Sequence, residues 1–389
     1  MKDNFSQQSS PPVGGVSAAI CRRNLLLLLG LYLIYGLIVA GSLSFFWSRE
    51  SWGISLAWDV PVALVAMVLI APIQHRLLLL GEEAGLRLLC RNRLWNEILG
   101  DWLIHFPFSG STHHTRMLQL THYHRPNDVT IDGERICAEK AGFFPLKVGK
   151  LLRLSALINW IVSRNNYSFL TNTRNPLLDP QVPPNRTALN IGTAFVLIMF
   201  AFLITMYLLN DRWFVPYLLA TVPPGMWAIT ATIFWLLPAR YYHYSRMNAP
   251  YSSRSMTIQR ITFILFLNLT LGWVTYLTGR SAVLNYIVLW AGPYVTTTAA
   301  CQIIRYWRQH GNLVDGQVAH DRKPRLLGKL FIFPLNSQYH TVKHRFPRTP
   351  WAELPALAAR TDLPAETDVL NEETLLPLVG NGIPPVEKT

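Results

Sequence analysis

Six stretches of the chain run for about twenty residues with almost no charge: 24–46, 54–74, 190–210, 213–238, 261–279 and 282–304. A helix rises about 1.5 Å per residue, so each can cross roughly 30 Å of hydrocarbon. Helices are expected rather than strands, because lipid cannot satisfy the backbone of an open sheet edge. The first stretch reads as a retained helix, since residues 42–47 (SLSFFW) make a poor leader-cleavage site. Asp59 weakens the mouth of the second stretch. Tight polar links, Asp211-Arg212 and Gly279-Arg280-Ser281, join the third to the fourth and the fifth to the sixth. Pro223-Pro224-Gly225 is expected to break or kink the fourth. The pattern thus predicts an all-α polytopic membrane bundle.

Basic residues set its orientation. Of 35 Lys and Arg, only Arg49, Arg212 and Arg280 fall on one side of this six-span arrangement. Positive residues stay in the cytoplasm, so both termini and the long loops are expected there, in either a bacterial inner membrane or the endoplasmic reticulum. The net charge of +13 is then a topology signal, not the footprint of nucleic-acid binding. Charged residues make up 15% of the chain, against about 25% in soluble domains, which agrees with a lipid solvent. Cys21, Cys90, Cys137 and Cys301 lie far apart with no CxxC, so neither a disulfide framework nor a zinc knuckle is indicated.

The long region between the second and third spans contains residues 143–162, where Lys147, Lys150 and Arg153 recur at a helical spacing with apolar residues opposite. Two readings stay open: a helix lying on anionic headgroups, or an amphipathic helix packed on the protein. Residues 2–15 and the tail beyond 357 are polar and rich in proline, the composition of mobile segments. Tyr241-Tyr242-His243-Tyr244 reads as an interfacial aromatic belt, and Thr296-Thr297-Thr298 as hydrogen-bonding groups between helices. The glycosylation-type triplets at 166–168 and 185–187 fall on the expected cytoplasmic side.

The histidines carry the most chemistry. His105, His113, His114, His122 and His124 follow the second span, and His310, His320, His340 and His344 follow the sixth. Two clusters meeting at one membrane face could build a metal site from neutral imidazoles. The spacing of four between His340 and His344 puts both rings on one helix face. Solvated loop histidines are the plain alternative.

Residues 339–347 (YHTVKHRFP), continuing to Pro350-Trp351 and Leu354-Pro355, resemble the third histidine box of membrane fatty-acid desaturases, HxxHH in a YHxxHHxFP…PWxxLP setting. Arg305 to His310 (RYWRQH) resembles the family's RxxxEH element. Gln119-Leu120-Thr121-His122-Tyr123, followed by Asn127-Asp128 and Asp132, stands where the second HxxHH box belongs. Glu82 to Leu86 (EEAGL) stands at the first, HxxxH. The resemblance covers roughly residues 55–360. It implies a membrane domain over 24–360 with a cytoplasmic helical cap carrying the boxes, flanked by mobile segments 1–23 and 361–389. It further implies two irons that activate dioxygen against an acyl chain, with a separate electron-donor protein.

The boxes are degenerate. Glu82 and Leu86 replace both histidines of the first, Gln119 and Tyr123 replace two of the second, and Lys343 replaces the middle one of the third. His122, His340 and His344 survive, with His310 in addition. Leu86 has no donor atom, and a Lys343 ammonium beside dications is repelled by several kcal/mol at about 4 Å and an effective dielectric near 20. A full diiron shell is therefore not expected. One iron on His122, His310, His340, His344 and Glu82 is one reading, with His113, His114 and His124 as further candidates. A metal-free site in which Lys343 pairs with Glu82 or Glu83 is the other. The functional expectations are an acyl desaturase or hydroxylase with an altered site, or a non-catalytic homologue that binds or regulates lipid. A transporter is disfavoured, because the spans hold almost no ionisable residues.

Overall fold

The computed structural model describes residues 16–130, 132–140, 142, 153–165, 187–210, 212–238, 241–242, 250–311, 313 and 318–361. Six helices are long and apolar enough to cross a membrane. They are α1 (Ala18–Ser48), α2 (Asp59–Gly85), α7 (Thr187–Leu208), α8 (Val215–Leu236), α9 (Ser253–Thr278) and α10 (Ala282–His310). Shorter helices follow α2: α3 (Arg93–Gly100), α4 (Thr112–His124), α5 (Gly133–Lys140) and α6 (Leu154–Asn165). After α10 come α11 (His340–Arg345) and α12 (Leu354–Ala358). No strand occurs among the described residues.

The spans are those expected, but four of them have different ends. The first helix begins at Ala18, inside the segment expected to be mobile, because Ser17 caps it by accepting from the Ile20 N–H at 3.3 Å. The fifth begins at Ser253, capped by Ser252, which accepts from the Ser255 N–H at 3.2 Å. The second continues past residue 74 to Gly85, and the sixth past residue 304 to His310. Both carry charged residues beyond the apolar run, into the cap. The fourth runs unbroken through Pro223 and Pro224, contrary to the expected break. Such prolines are tolerated in spans where local adjustment re-satisfies the freed carbonyls. The sixth is not uniform, having wide π turns at Ile287–Ala291 and Tyr294–Thr298.

Two trios of spans pack side by side. In one, α7, α8 and α9 share a core that includes Phe195, Met199, Phe234 and Ile261. In the other, α1, α2 and α10 share a core that continues without interruption into the cap, through Leu77, Leu80, Met117, Trp160 and Tyr306. The trios meet where Trp102, between α3 and α4, lies 6.1 Å from both Phe263 and Phe266 of α9 and donates its indole N–H to Gln259. Leu29, Leu33 and Leu37 of α1 and Leu197 and Ile204 of α7 are exposed, the apolar surface expected of helices whose solvent is lipid.

The cap sits on the overrunning end of α2. A Cβ at Gly81 would come within 2.7 Å of the His105 ring, so only glycine permits this approach. Arg116 of α4 is fully buried and pairs with Glu97 of α3, while its Nε donates to the carbonyl of Gly85 at 2.9 Å. One guanidinium thus fastens α2, α3 and α4. Residues Ala156, Leu157, Trp160 and Ile161 of α6 are buried, and Trp160 donates to Gln302 of α10 at 3.1 Å. This favours the packed reading for the described part of the amphipathic helix. Lys147 and Lys150 lie outside the described residues, as do 1–15, 166–186, His243, Tyr244 and 362–389.

Candidate metal centre

Four imidazoles converge in the cap. His122 comes from the last turn of α4, His310 ends α10, and His340 and His344 lie one turn apart on α11. Their nearest ligand atoms all lie within 4.8 Å of one another, and all four side chains are buried. The Nε2 atoms of His310 and His340 are 2.8 Å apart, and those of His340 and His344 are 3.2 Å apart. Imidazoles sharing one ion at about 2.0–2.1 Å hold their nitrogens roughly 3–3.5 Å apart, so this spacing suits a common centre.

Local folding aims these rings. Asp321 starts α11 by accepting the Thr341 N–H at 2.7 Å. Asp132 has two tasks. Its Oδ1 caps α5, accepting from the N–H groups of Glu134 and Arg135, while its Oδ2 accepts from the Asn127 N–H at 2.7 Å and holds His122 Nδ1 at 2.9 Å. A proton fixed on Nδ1 leaves the His122 Nε2 lone pair for the cluster. That Nε2 is buried with no hydrogen-bond partner among the described residues. Glu134 Oε2 lies 4.0 Å from it. Burial first, then neighbouring imidazoles, hold His340 and His344 well below the usual histidine pKa, so both are neutral at pH 7. For His122 burial works the same way, but Asp132 and Glu134 outweigh it and raise the pKa.

The substituted positions are occupied by other chemistry. Lys343 donates to Glu83 Oε1 at 2.6 Å and to the Thr349 carbonyl at 2.7 Å. Glu83 was one of the two partners expected for it. Glu82, the expected carboxylate ligand, is not brought into the histidine group and instead binds Arg305 of α10 at 2.8 Å. Leu86 is buried in the apolar core. Gln119 donates to Glu134 at 3.2 Å. Tyr123 packs its ring 5.1 Å from His344, and burial raises its phenol pKa well above the ordinary value.

The other histidines stand apart from the group. His105 is 3.3 Å from both the Gly81 carbonyl and the Thr115 hydroxyl, and His320 is 3.2 Å from the Gly311 carbonyl. His113 and His114 line a cleft of about 280 Å³ between α4, α7 and α9, with Val196, Arg260 and Ile261 also on its walls. His124 is half-buried and outside the four. His75 lies within α2, its Nδ1 2.7 Å from the Phe331 carbonyl, whereas the shorter sequence-based span ended one residue before it.

Residues 211–371 match the fatty acid desaturase family. That part of the chain is similar to the family. The match includes His310, His340 and His344 and stops short of His122. No curated protein and no solved structure matches the chain. The four histidines fit one ion: their nitrogens converge, and His122 Nε2 is buried without a hydrogen-bond partner among the described residues. The other box positions are closed by Leu86 and by the Lys343–Glu83 and Arg305–Glu82 pairs.

Sequence reasoning missed Asp132 as the group that orients His122 and Glu134 as a carboxylate 4.0 Å from its Nε2. In the sequence Asp132 stands after the second box with no role of its own. The signal lay in Asp132-Gly133-Glu134, an N-cap residue with acid in the first turn.

Proposed function

We propose that this protein is a lipid-modifying membrane oxidoreductase with a one-iron centre on His122, His310, His340 and His344. The observation that carries the reading is the convergence of four buried imidazoles from three separate segments. Bound iron would supply dioxygen-dependent oxidation of an acyl chain, as a desaturase or hydroxylase, with electrons from a separate donor protein. Asp132 orients His122, and Glu134 adds negative charge 4.0 Å from its Nε2. The cleft walled by Val196 and Ile261 suits an acyl chain approaching α4 from the membrane. Both termini and the cap lie on the cytoplasmic side in this reading, following the distribution of basic residues.

The test is metal content. The purified protein is expected to carry about one iron per chain, and loss of either His340 or His344 should remove it. Two irons per chain, or less than about a tenth after anaerobic supply of iron, would refute the centre as described. A second reading, a non-catalytic family member that binds or regulates lipid, draws support from the two ion pairs at box positions. Membrane acyl chains compared with and without the protein separate the two: new double bonds or hydroxyls favour the enzyme, unchanged chains the lipid-binding homologue.

A further inference from the structure

Cys21 and Cys90 are 69 residues apart in the chain, and their sulfurs meet at 3.0 Å. Both are free thiols and only partly buried, next to the exposed Arg22 and Arg91. A disulfide bond is about 2.05 Å long, so closure needs roughly 1 Å of movement. The backbones around them are held independently of the sulfurs. Asn24, one turn beyond Cys21, donates to the carbonyls of Leu88 and Leu89 at 3.0 and 3.2 Å. Asn96 accepts from the N–H groups of Leu89 and Cys90, both at 3.2 Å. The approach of the two thiols is therefore built into the fold.

We propose that Cys21 and Cys90 form a reversible intrachain disulfide, a redox-sensitive fastening of α1 to the loop after α2. The oxidant is a low-molecular-weight disulfide such as oxidised glutathione. The Cys21 thiolate attacks one of its sulfurs and expels one thiolate. Cys90 then gives its proton to water, attacks the Cys21 sulfur and expels the second. Two protein thiols are oxidised to one disulfide, the glutathione disulfide is reduced to two thiols, and excess thiol reverses the reaction. Burial and contact with Cys21 raise the Cys90 thiol pKa, so Cys90 ionises less readily than a free thiol and is not the leading nucleophile. On a cytoplasmic face, a disulfide of this kind senses redox state and is not a permanent brace.

The fastening reaches toward the histidine cap. Asn24 also accepts from the Trp351 indole N–H at 2.9 Å, the Arg23 guanidinium lies 4.5 Å over that ring, and the Trp351 backbone N–H donates to Glu83, the partner of Lys343. Oxidation would stiffen this seat.

The full-length protein in detergent micelles is equilibrated with glutathione at varied ratios of oxidised to reduced, quenched in acid, alkylated, digested and analysed by mass spectrometry. The Cys21–Cys90 linked peptide is expected in most molecules at the oxidised end and in none under excess reduced glutathione. In Cys21→Ser or Cys90→Ser the remaining thiol should appear as a glutathione adduct. Separate adducts, chain-to-chain dimers or unmodified thiols in the wild type would each overturn the proposal. Hydrogen exchange over residues 345–353 should be slower in the oxidised wild type and indifferent to redox state in Cys21→Ser. Equal rates in both redox states of the wild type would overturn the fastening.

Discussion

Lys343 and Glu83 allow a direct measurement of what this protein put in place of a box histidine. Their side chains are 9% and 6% exposed, and Nζ stands 2.6 Å from Oε1. At an effective dielectric near 20 the attraction at that separation is about 6 kcal/mol, much of it offset by desolvation of both ions. Lys343→Met removes the cation alone and leaves a buried carboxylate still accepting from the Trp351 N–H. The expected cost is about 3–5 kcal/mol. Lys343→Met combined with Glu83→Leu removes both charges, and its stability is expected within about 1 kcal/mol of wild type. Thermal unfolding in detergent micelles reads the difference: at roughly 2 °C per kcal/mol, the single variant should melt about 6–10 °C lower and the double variant about 2 °C lower or less. A single variant that melts within about 2 °C of wild type would refute the reasoning. So would a double variant as unstable as the single one, since no coupled buried pair would then exist.

Three further outcomes follow from the geometry. Asp132→Asn weakens the acceptor that fixes the His122 tautomer and is expected to lower metal affinity about 10–100-fold, read by competition with a chelator. Burial pushes the Asp101 carboxyl up to about 6, against its hydrogen bonds from Thr112 and Tyr251. An acid with a raised folded pKa destabilises the fold on ionising, so this loss is absent below about pH 4, grows as pH rises through about 6, and is constant above. Asp101→Asn should therefore gain about 3 kcal/mol at pH 8 and nothing at pH 4, and an equal shift in melting at both pH values would contradict the account. Asn24→Ala leaves two carbonyls and the Trp351 indole N–H without their partner, at an expected cost of about 2–4 kcal/mol in the same unfolding assay.

How far the sequence could be read depended on whether a residue's partner was near in the chain. Six spans were legible because a run of uncharged residues is a local property. Their ends were not, because Glu82, Glu83 and Arg305 look like the point where a helix leaves lipid and stops. In the fold, Arg305 meets Glu82 from 223 residues away and Lys343 meets Glu83 from 260, so these charges are neutralised and both helices continue into the cap. The histidine group was legible for a different reason: box spacing survives in the third box even where its chemistry is lost. Glu82 could be read as a ligand only while Arg305 was absent from the picture. The roles of Asp132 and Glu134 were not legible because they depend on how α4 turns into α5, a geometry that a lone DGE triplet does not announce.

The origin of the four imidazoles has a consequence for how the protein is made. His122 is synthesised before the third span, and His340 and His344 only after the sixth. At about 5–20 residues per second, roughly ten to forty seconds separate the first ring from the last. During that interval a ribosome-bound chain presents at most three of the four, and four more helices must enter the bilayer before α11 can close over the site. A centre built on all four rings is therefore completed only after the sixth span has been made.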